Sequence, residues 1–134
     1  MRFQPVFRAI IPVALALMAG AATADELGEA TYRDNCASCH GVAGTGDGPL
    51  AAMMTVPVPP LNTLSQQNGG TFPMLLVVHT IDGRNETRGH GNPMPVWGAT
   101  FKSEAQAARN PATDLAARGR ILSLAYYLES IQQK

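Results

Sequence analysis

The sequence predicts a small all-α domain, and three patterns support this fold class. Near the carboxyl end, apolar residues recur every three or four positions, which places them on one buried face of a helix. They are Ala117, Ile121, Leu124, Leu128 and Ile131. Residues 71–81 form a second, largely apolar segment with Pro73 near its start and Gly83 after its end, which is typical of a buried helix. The long intervening stretches are rich in glycine and proline, and no segment alternates convincingly as a strand does.

The predicted elements follow one another along a single domain at residues 25–134. Residues 25–39 form a first helix that runs directly into the motif described below, and residues 41–60 form a loop. Thr71 is the expected N-cap of the helix at 71–81, and residues 84–100 are again a loop. The capping box Ser103-Glu104-Ala105-Gln106 predicts the start of a short helix. A last helix is predicted to begin at Pro111 or Thr113 and to end at about Gln132.

The first 24 residues have the organisation of a cleaved secretory signal. Arg2 and Arg8 form a positive region, an apolar run covers residues 9–22, and Ala22-Thr23-Ala24 is a small-x-small cleavage site. The apolar run is shorter than the roughly 20 residues that a transmembrane helix needs. We therefore expect export to the periplasm, with an uncleaved membrane anchor as the alternative.

The balance of basic and acidic residues argues against a nucleic-acid-binding protein. Without Arg2 and Arg8, the ten basic residues of the 134-residue chain fall to eight, against ten acidic ones. No basic patch of the kind that nucleic-acid binding requires is present. We expect protein redox partners, membrane contact only through a membrane-bound partner, and a monomer.

The motif Cys36-Ala37-Ser38-Cys39-His40 predicts the chemistry of the chain. Two thiols at this spacing can form thioether bonds to the vinyl groups of one haem, and the following histidine can bind the iron from one side. The sequence therefore predicts one covalent haem c, with Cys36 and Cys39 as attachment points and His40 as a metal ligand.

Other interpretations of the cysteines are open. Cys36 and Cys39 are the two cysteines of the chain, so a disulfide or a thioredoxin-like redox pair is conceivable in an exported protein. His40, placed directly after Cys39, favours haem over both. A zinc site is disfavoured because no second Cys/His pair occurs at zinc-binding spacing.

Met94 is the predicted second iron ligand. A His/Met pair is a standard haem ligation that raises the reduction potential, and Pro93 and Pro95 fix the backbone on both sides of Met94. The other methionines after the signal are less suitable, because two follow the haem motif closely and one belongs in the core of an apolar helix. They are Met53, Met54 and Met74. His79 and His90 are rival ligands that would give bis-histidine ligation.

Together these residues resemble the class I cytochromes c. The resemblance spans nearly all of residues 25–134, and its most specific parts are the Cys36-to-Gly41 motif and Met94-Pro95. Residues 44–49 and Pro59-Pro60-Leu61 look like a loop of many bacterial monohaem cytochromes c. Gly28 and Tyr32 are similar to a glycine–aromatic pair of the first helix, which crosses the last helix at Leu124 and Tyr127.

The resemblance implies a cytochrome c fold, in which a small helical domain with long loops wraps around one covalently bound haem. It implies that His40 and Met94 are the axial ligands and that a backbone carbonyl, from Pro49 or a neighbour, accepts a hydrogen bond from the His40 ring. Trp97 would pack near the haem or in the core, and Arg84 and Arg88 would pair with haem propionates or with a partner protein.

The function expected from this assignment is electron transfer without bond chemistry of its own, by a soluble carrier or by the cytochrome subunit of an exported complex. A ligand-binding or catalytic haem protein with an open distal position is the alternative, and Met94 argues against it. A haem-free thiol protein is a third possibility.

Overall fold

A computed structural model describes residues 24–84 and 94–133, and both ranges are helical without a strand. In chain order the helices are α1 (Ala24–Asn35), α2 (Ala37–His40), α3 (Leu64–Gln67), α4 (Met74–Asp82), α5 (Trp97–Ala107) and α6 (Thr113–Ser130). A single 3₁₀ turn, Ala51–Met53, interrupts the loop between α2 and α3. The predicted all-α class is confirmed.

The last helix, α6, is the centre of the core. Its apolar face packs against α1, α4 and α5, and Leu124 and Ala125 are almost completely buried. Val77 and Ile81 of α4 and Phe101 of α5 join the same cluster. The residues predicted from the three-to-four periodicity are therefore core residues, with Ile131 partly buried at the edge.

The crossing of α1 and α6 depends on Gly28. A Cβ atom placed on Gly28 would lie 2.2 Å from the carbonyl oxygen of Ser123 and 2.8 Å from Cβ of Tyr127. Only a glycine permits so close an approach, and it brings the rings of Tyr32 and Tyr127 to 5.3 Å between centroids. The crossing predicted from Gly28, Tyr32, Leu124 and Tyr127 is confirmed.

Helix α5 is attached to the core through aromatic side chains. Trp97 stacks on Phe101 with 5.7 Å between centroids, and the guanidinium of Arg120 lies 4.2 Å from the Phe101 ring centre. Arg120 also donates to the Thr31 hydroxyl at 3.3 Å and forms an ion pair with Glu104. Trp97, the first residue of α5, and Phe101 thus attach the beginning of this helix to the core.

Three predicted boundaries were wrong. The first helix is not continuous through 25–39, because it is interrupted at Cys36. The Asn35 side-chain amide donates to the Thr31 carbonyl, which competes with the backbone hydrogen bonding of the helix. Pro73, not Thr71, occupies the N-cap position of the next helix, which begins at Met74 and has no side-chain cap hydrogen bond. The capping-box pattern at Ser103 lies inside α5, because burial of Phe101 outweighs that local signal.

The predicted signal, residues 1–24, lies outside the described residues except for Ala24. Within the two described ranges, no helix has both the length and the apolar character needed to cross a membrane.

Candidate haem-attachment site

The motif Cys36-to-His40 folds as one helical turn. The Cys36 carbonyl accepts hydrogen bonds from the backbone N–H of Cys39 at 3.1 Å and of His40 at 2.9 Å. Residues three apart on a helix lie on the same side, so the two cysteines share one face of the turn. This is the arrangement that two thioether bonds to a single porphyrin require.

The glycine-rich loop that follows completes the hydrogen bonding of this turn. Gly46, Gly48 and Leu50 donate their N–H groups to the carbonyls of His40, Cys39 and Ser38, at 2.8, 3.1 and 2.9 Å respectively. Carbonyls at the end of a helix have no partner within the helix, so the loop satisfies them. A Cβ atom on Gly48 would lie 2.5 Å from the Ser38 oxygen, which explains the glycine there. The loop thus supports the haem motif.

His40 is oriented by Pro59. Its Nδ1 lies 3.0 Å from the Pro59 carbonyl oxygen, and the residue is 8% exposed. A carbonyl can only accept, so Nδ1 carries the proton and Nε2 keeps the lone pair that an iron ligand needs. Burial lowers the pKa of His40, although the hydrogen bond to Pro59 opposes this shift, so the ring is neutral at neutral pH.

This geometry corrects one expectation from the sequence. A proline carbonyl does accept the hydrogen bond from the ring, but it belongs to Pro59, not to Pro49. Pro49 lies in the loop that satisfies α2, whereas Pro59 is 19 residues after His40. The sequence signal that could have identified it was the Pro59-Pro60-Leu61 segment.

No disulfide joins Cys36 and Cys39. Cys36 is buried and Cys39 is partly exposed. Burial, with a smaller contribution from Cys39, raises the pKa of the Cys36 thiol to about 12, so Cys36 is protonated at neutral pH.

The hydroxyl of Tyr32 is a contributor that the sequence did not reveal. It donates to the carbonyl of Gly41 at 2.6 Å, and Gly41 follows His40 directly. Tyr32 is completely buried, and burial raises the pKa of its phenol. The aromatic residue that packs the helix crossing therefore also ties α1 to the end of the haem motif.

Met94 is half-buried and lies three residues before α5. Met53 is 71% exposed, while Met74 packs against the core as predicted. His79 is half-buried within α4, where its carbonyl accepts from Gly83 and Arg84 at the helix end.

Several other predicted residues can now be placed. His90 and Arg88 lie outside the described residues. Arg84 forms an ion pair with Asp82, and Trp97 belongs to the edge of the core. Met54 is half-buried next to the 3₁₀ turn.

The residues present fit a haem. Helix α4 is apolar on two faces: Val77 and Ile81 face the core, whereas Leu75 and Leu76 are 68% and 57% exposed. Exposed apolar side chains of this size are costly in water, and a large apolar cofactor would bury such a surface. The paired thiols and the neutral imidazole match the donor set of haem c.

Comparison with known proteins agrees with this class of site. The family model for cytochrome c matches residues 26–110. The cbb3-type cytochrome c oxidase subunit CcoP of Azospirillum brasilense is 39% identical in an alignment of 94 residues that covers 66% of this chain and 29% of that protein. This chain thus spans less than a third of that relative's length. No solved structure gave a significant match.

The chain belongs to the cytochrome c family. Its fold is the all-α cytochrome c fold, and its cofactor is covalently bound haem c, for which Cys36 and Cys39 have the required spacing. It is an electron-transfer haem protein.

Proposed function

We propose that this chain is an exported one-electron carrier in which His40 and Met94 bind the haem iron from opposite sides. Bound haem c supplies a one-electron iron(III)/iron(II) couple. The protein itself makes and breaks no substrate bonds, and its residues hold the ligands in fixed positions. Cys36 and Cys39 provide the two thioether attachments.

The observation that carries this proposal is the hydrogen bond between His40 Nδ1 and the Pro59 carbonyl. It fixes the tautomer, restricts ring rotation and increases the electron donation of the ring. The protein thus fixes the orientation of the proximal ring. Rigid ligation suits electron transfer, because the geometry changes little between the two oxidation states.

Met94 as the distal ligand is supported by its chemistry and its neighbours. A thioether is a soft, neutral donor that favours iron(II), and prolines on both sides restrict the backbone. Met74 is occupied in the core, and Met53 is largely exposed. A bound Met94 would close the distal position to exogenous ligands.

The proposed location is the periplasm, and the support is the signal pattern of residues 1–24. The likeness to an oxidase subunit supports redox protein partners, with the chain acting as a soluble carrier or as the cytochrome subunit of an exported complex. We propose a monomer that docks through a small, mainly apolar contact, since the sequence contains few lysines. Its association should depend only mildly on salt.

The test is an optical titration of the exported, haem-loaded protein with carbon monoxide added to the reduced form. A low-spin spectrum with the weak near-infrared sulfur-to-iron(III) band, unchanged by carbon monoxide, would support His/Met ligation. A high-spin spectrum that shifts with carbon monoxide would remove Met94 and favour a sensor or an enzyme. Mass spectrometry of the periplasmic fraction tests export, since the proposal requires a haem-bearing chain that starts near Asp25.

A further inference from the structure

Gln132 lies two residues beyond the end of α6, and both the oxygen and the nitrogen of its side-chain amide form hydrogen bonds. Its Oε1 accepts a hydrogen bond from the Ser65 backbone N–H at 2.9 Å. Its Nε2 donates to the carbonyls of Leu61 and Leu128, both at 2.7 Å. Because a backbone N–H only donates and a carbonyl only accepts, these three partners determine which way the amide points.

The three bonds join two helix ends to one loop. The Leu128 carbonyl belongs to the last turn of α6, and the Ser65 N–H belongs to the first turn of α3, so both are groups that helices leave without internal partners. Leu61 lies in the loop that precedes α3. The backbone N–H of Gln133 adds a fourth bond, to the Asn62 carbonyl at 2.8 Å. The end of the core helix thus determines the position of this loop.

The loop is also held from its other side. The Gly44 carbonyl accepts from the backbone N–H of Leu61 at 2.6 Å and of Asn62 at 3.2 Å, and the Asn62 side chain donates to the Ala43 carbonyl at 3.0 Å. Gly44 belongs to the loop that follows the haem motif. Leu61 is therefore held between that loop and Gln132, and we call these hydrogen bonds to Leu61 the clamp.

The clamp acts on Pro59 through a stiff link. Pro59 and Pro60 precede Leu61, and neither has a backbone N–H that could anchor it. The ring of Pro60 fixes its own φ and restricts the ψ of Pro59, which sets the direction of the Pro59 carbonyl. A displacement of Leu61 is consequently transmitted to the carbonyl that meets His40 Nδ1.

We infer that Gln132 is a positioning residue that holds the Pro59 carbonyl on His40 and thereby tunes the reduction potential of the haem. The inference rests on the proposed role of His40 as an iron ligand. A strong hydrogen bond from Nδ1 makes the ring a better donor and stabilises iron(III). Loosening the clamp weakens that bond, favours iron(II) and raises the potential.

The experiment compares the haem-loaded protein with Gln132→Leu and Gln132→Asn. The leucine removes all three bonds at similar volume, and the asparagine keeps the amide but shortens its reach. Since a hydrogen bond contributes modestly, we expect the ratio of oxidised to reduced haem at a fixed ambient potential to fall by about two- to tenfold in Gln132→Leu. The Nδ1–H proton of His40, observed by NMR in the reduced form, should shift toward the position of a weaker hydrogen bond and exchange faster.

Gln133→Ala is the matched control. Gln133 is exposed and contributes its backbone N–H, which the substitution keeps, so its potential and Nδ1–H resonance should match the wild type. If Gln132→Leu and Gln132→Asn unfold more easily but keep the wild-type potential and Nδ1–H resonance, Gln132 has only a structural role and the inference is wrong. If Gln132→Leu does not retain haem, Gln132→Asn alone decides between these outcomes.

The same measurements separate this inference from the proposed function. A wild-type protein without a low-spin haem and without a His40 Nδ1–H resonance would contradict histidine ligation itself. A normal wild type with unshifted Gln132 variants would contradict only the clamp.

Discussion

The Tyr32 hydroxyl donates a hydrogen bond to the Gly41 carbonyl at 2.6 Å, between residues nine apart in the chain. Tyr32 is fully buried, and its ring lies beside that of Tyr127 where α1 crosses α6. Gly41 directly follows His40. One side chain therefore connects the helix crossing to the residue that follows the proposed iron ligand.

Tyr32→Phe should destabilise the haem-loaded protein by about 0.5–1.5 kcal/mol. The ring packing is retained, and the Gly41 carbonyl keeps its bond from the Gly44 N–H at 3.1 Å, so no buried acceptor loses all its partners. Urea unfolding followed through the haem absorbance measures the loss. Tyr126→Phe is the control, since Tyr126 is 46% exposed, and an equal loss in both variants would contradict a special role for Tyr32.

The Tyr32 phenol should make the free energy of unfolding decrease as the pH rises in the alkaline range. Burial is the main cause that raises the pKa of Tyr32 in the folded state, whereas the unfolded chain titrates near the ordinary value of about 10. Above about pH 10 the folded state therefore binds more protons than the unfolded state, and the free energy of unfolding falls as pH rises. Below that pH the contribution is fully present.

Tyr32→Phe should flatten this dependence, while Tyr126→Phe should leave it steep. Urea unfolding of the three haem-loaded proteins between about pH 9 and pH 11 provides the comparison, which covers the onset of phenol ionisation. Equal slopes in wild type and Tyr32→Phe would show that other groups cause the alkaline loss.

Gly28→Ala should cost about 1–3 kcal/mol, the usual cost of overpacking. Its methyl group would lie 2.2 Å from the Ser123 carbonyl oxygen, which is backbone and can move only if α1 and α6 separate. Gly119→Ala is a matched control within α6, because a Cβ atom there meets nothing within 4 Å. That variant should gain about 0.5–1 kcal/mol from helix propensity.

Thermal and urea unfolding of both haem-loaded variants tests the contrast. If Gly28→Ala is as stable as the wild type, the close approach of the two helices does not depend on glycine.

The features that were predicted correctly from the sequence are those that depend on residues close together in the chain or on helical spacing. The turn formed by Cys36, Cys39 and His40 requires only adjacent residues, and the pairing of Gly28 with Tyr127 follows from helical spacing together with the family resemblance. Both are confirmed in the fold, and the family match shows covalent haem c, whereas axial ligation by His40 and Met94 stays a prediction.

What the sequence did not predict depends on long loops or on tertiary packing. Pro59 lies 19 residues after His40, and the distance along the chain did not settle whether Pro49 or a neighbour supplies the carbonyl. Gln132 reaches Ser65 across 67 residues, and a glutamine near a chain end carries no pattern that predicts such a partner. Helix α5 begins six residues before its capping-box signal because Phe101 is buried.

Met94→Ala should open the distal position of the haem. Without the thioether, the near-infrared sulfur-to-iron band of the oxidised protein should disappear, and the reduced protein should bind carbon monoxide. The reduction potential should fall, because methionine ligation favours iron(II). Optical spectra with and without carbon monoxide, and a redox titration, measure these three changes.

Met53→Ala and Met54→Ala are the controls for Met94→Ala, since both methionines lie near the 3₁₀ turn after the haem motif and Met53 is 71% exposed. Both variants should keep the near-infrared band and remain insensitive to carbon monoxide. If the band is lost in Met53→Ala or in Met54→Ala but remains in Met94→Ala, the methionine whose removal abolishes the band is the distal ligand and Met94 is not. Survival of the band in all three would leave Met74, which packs against the core, as the remaining thioether among the described residues.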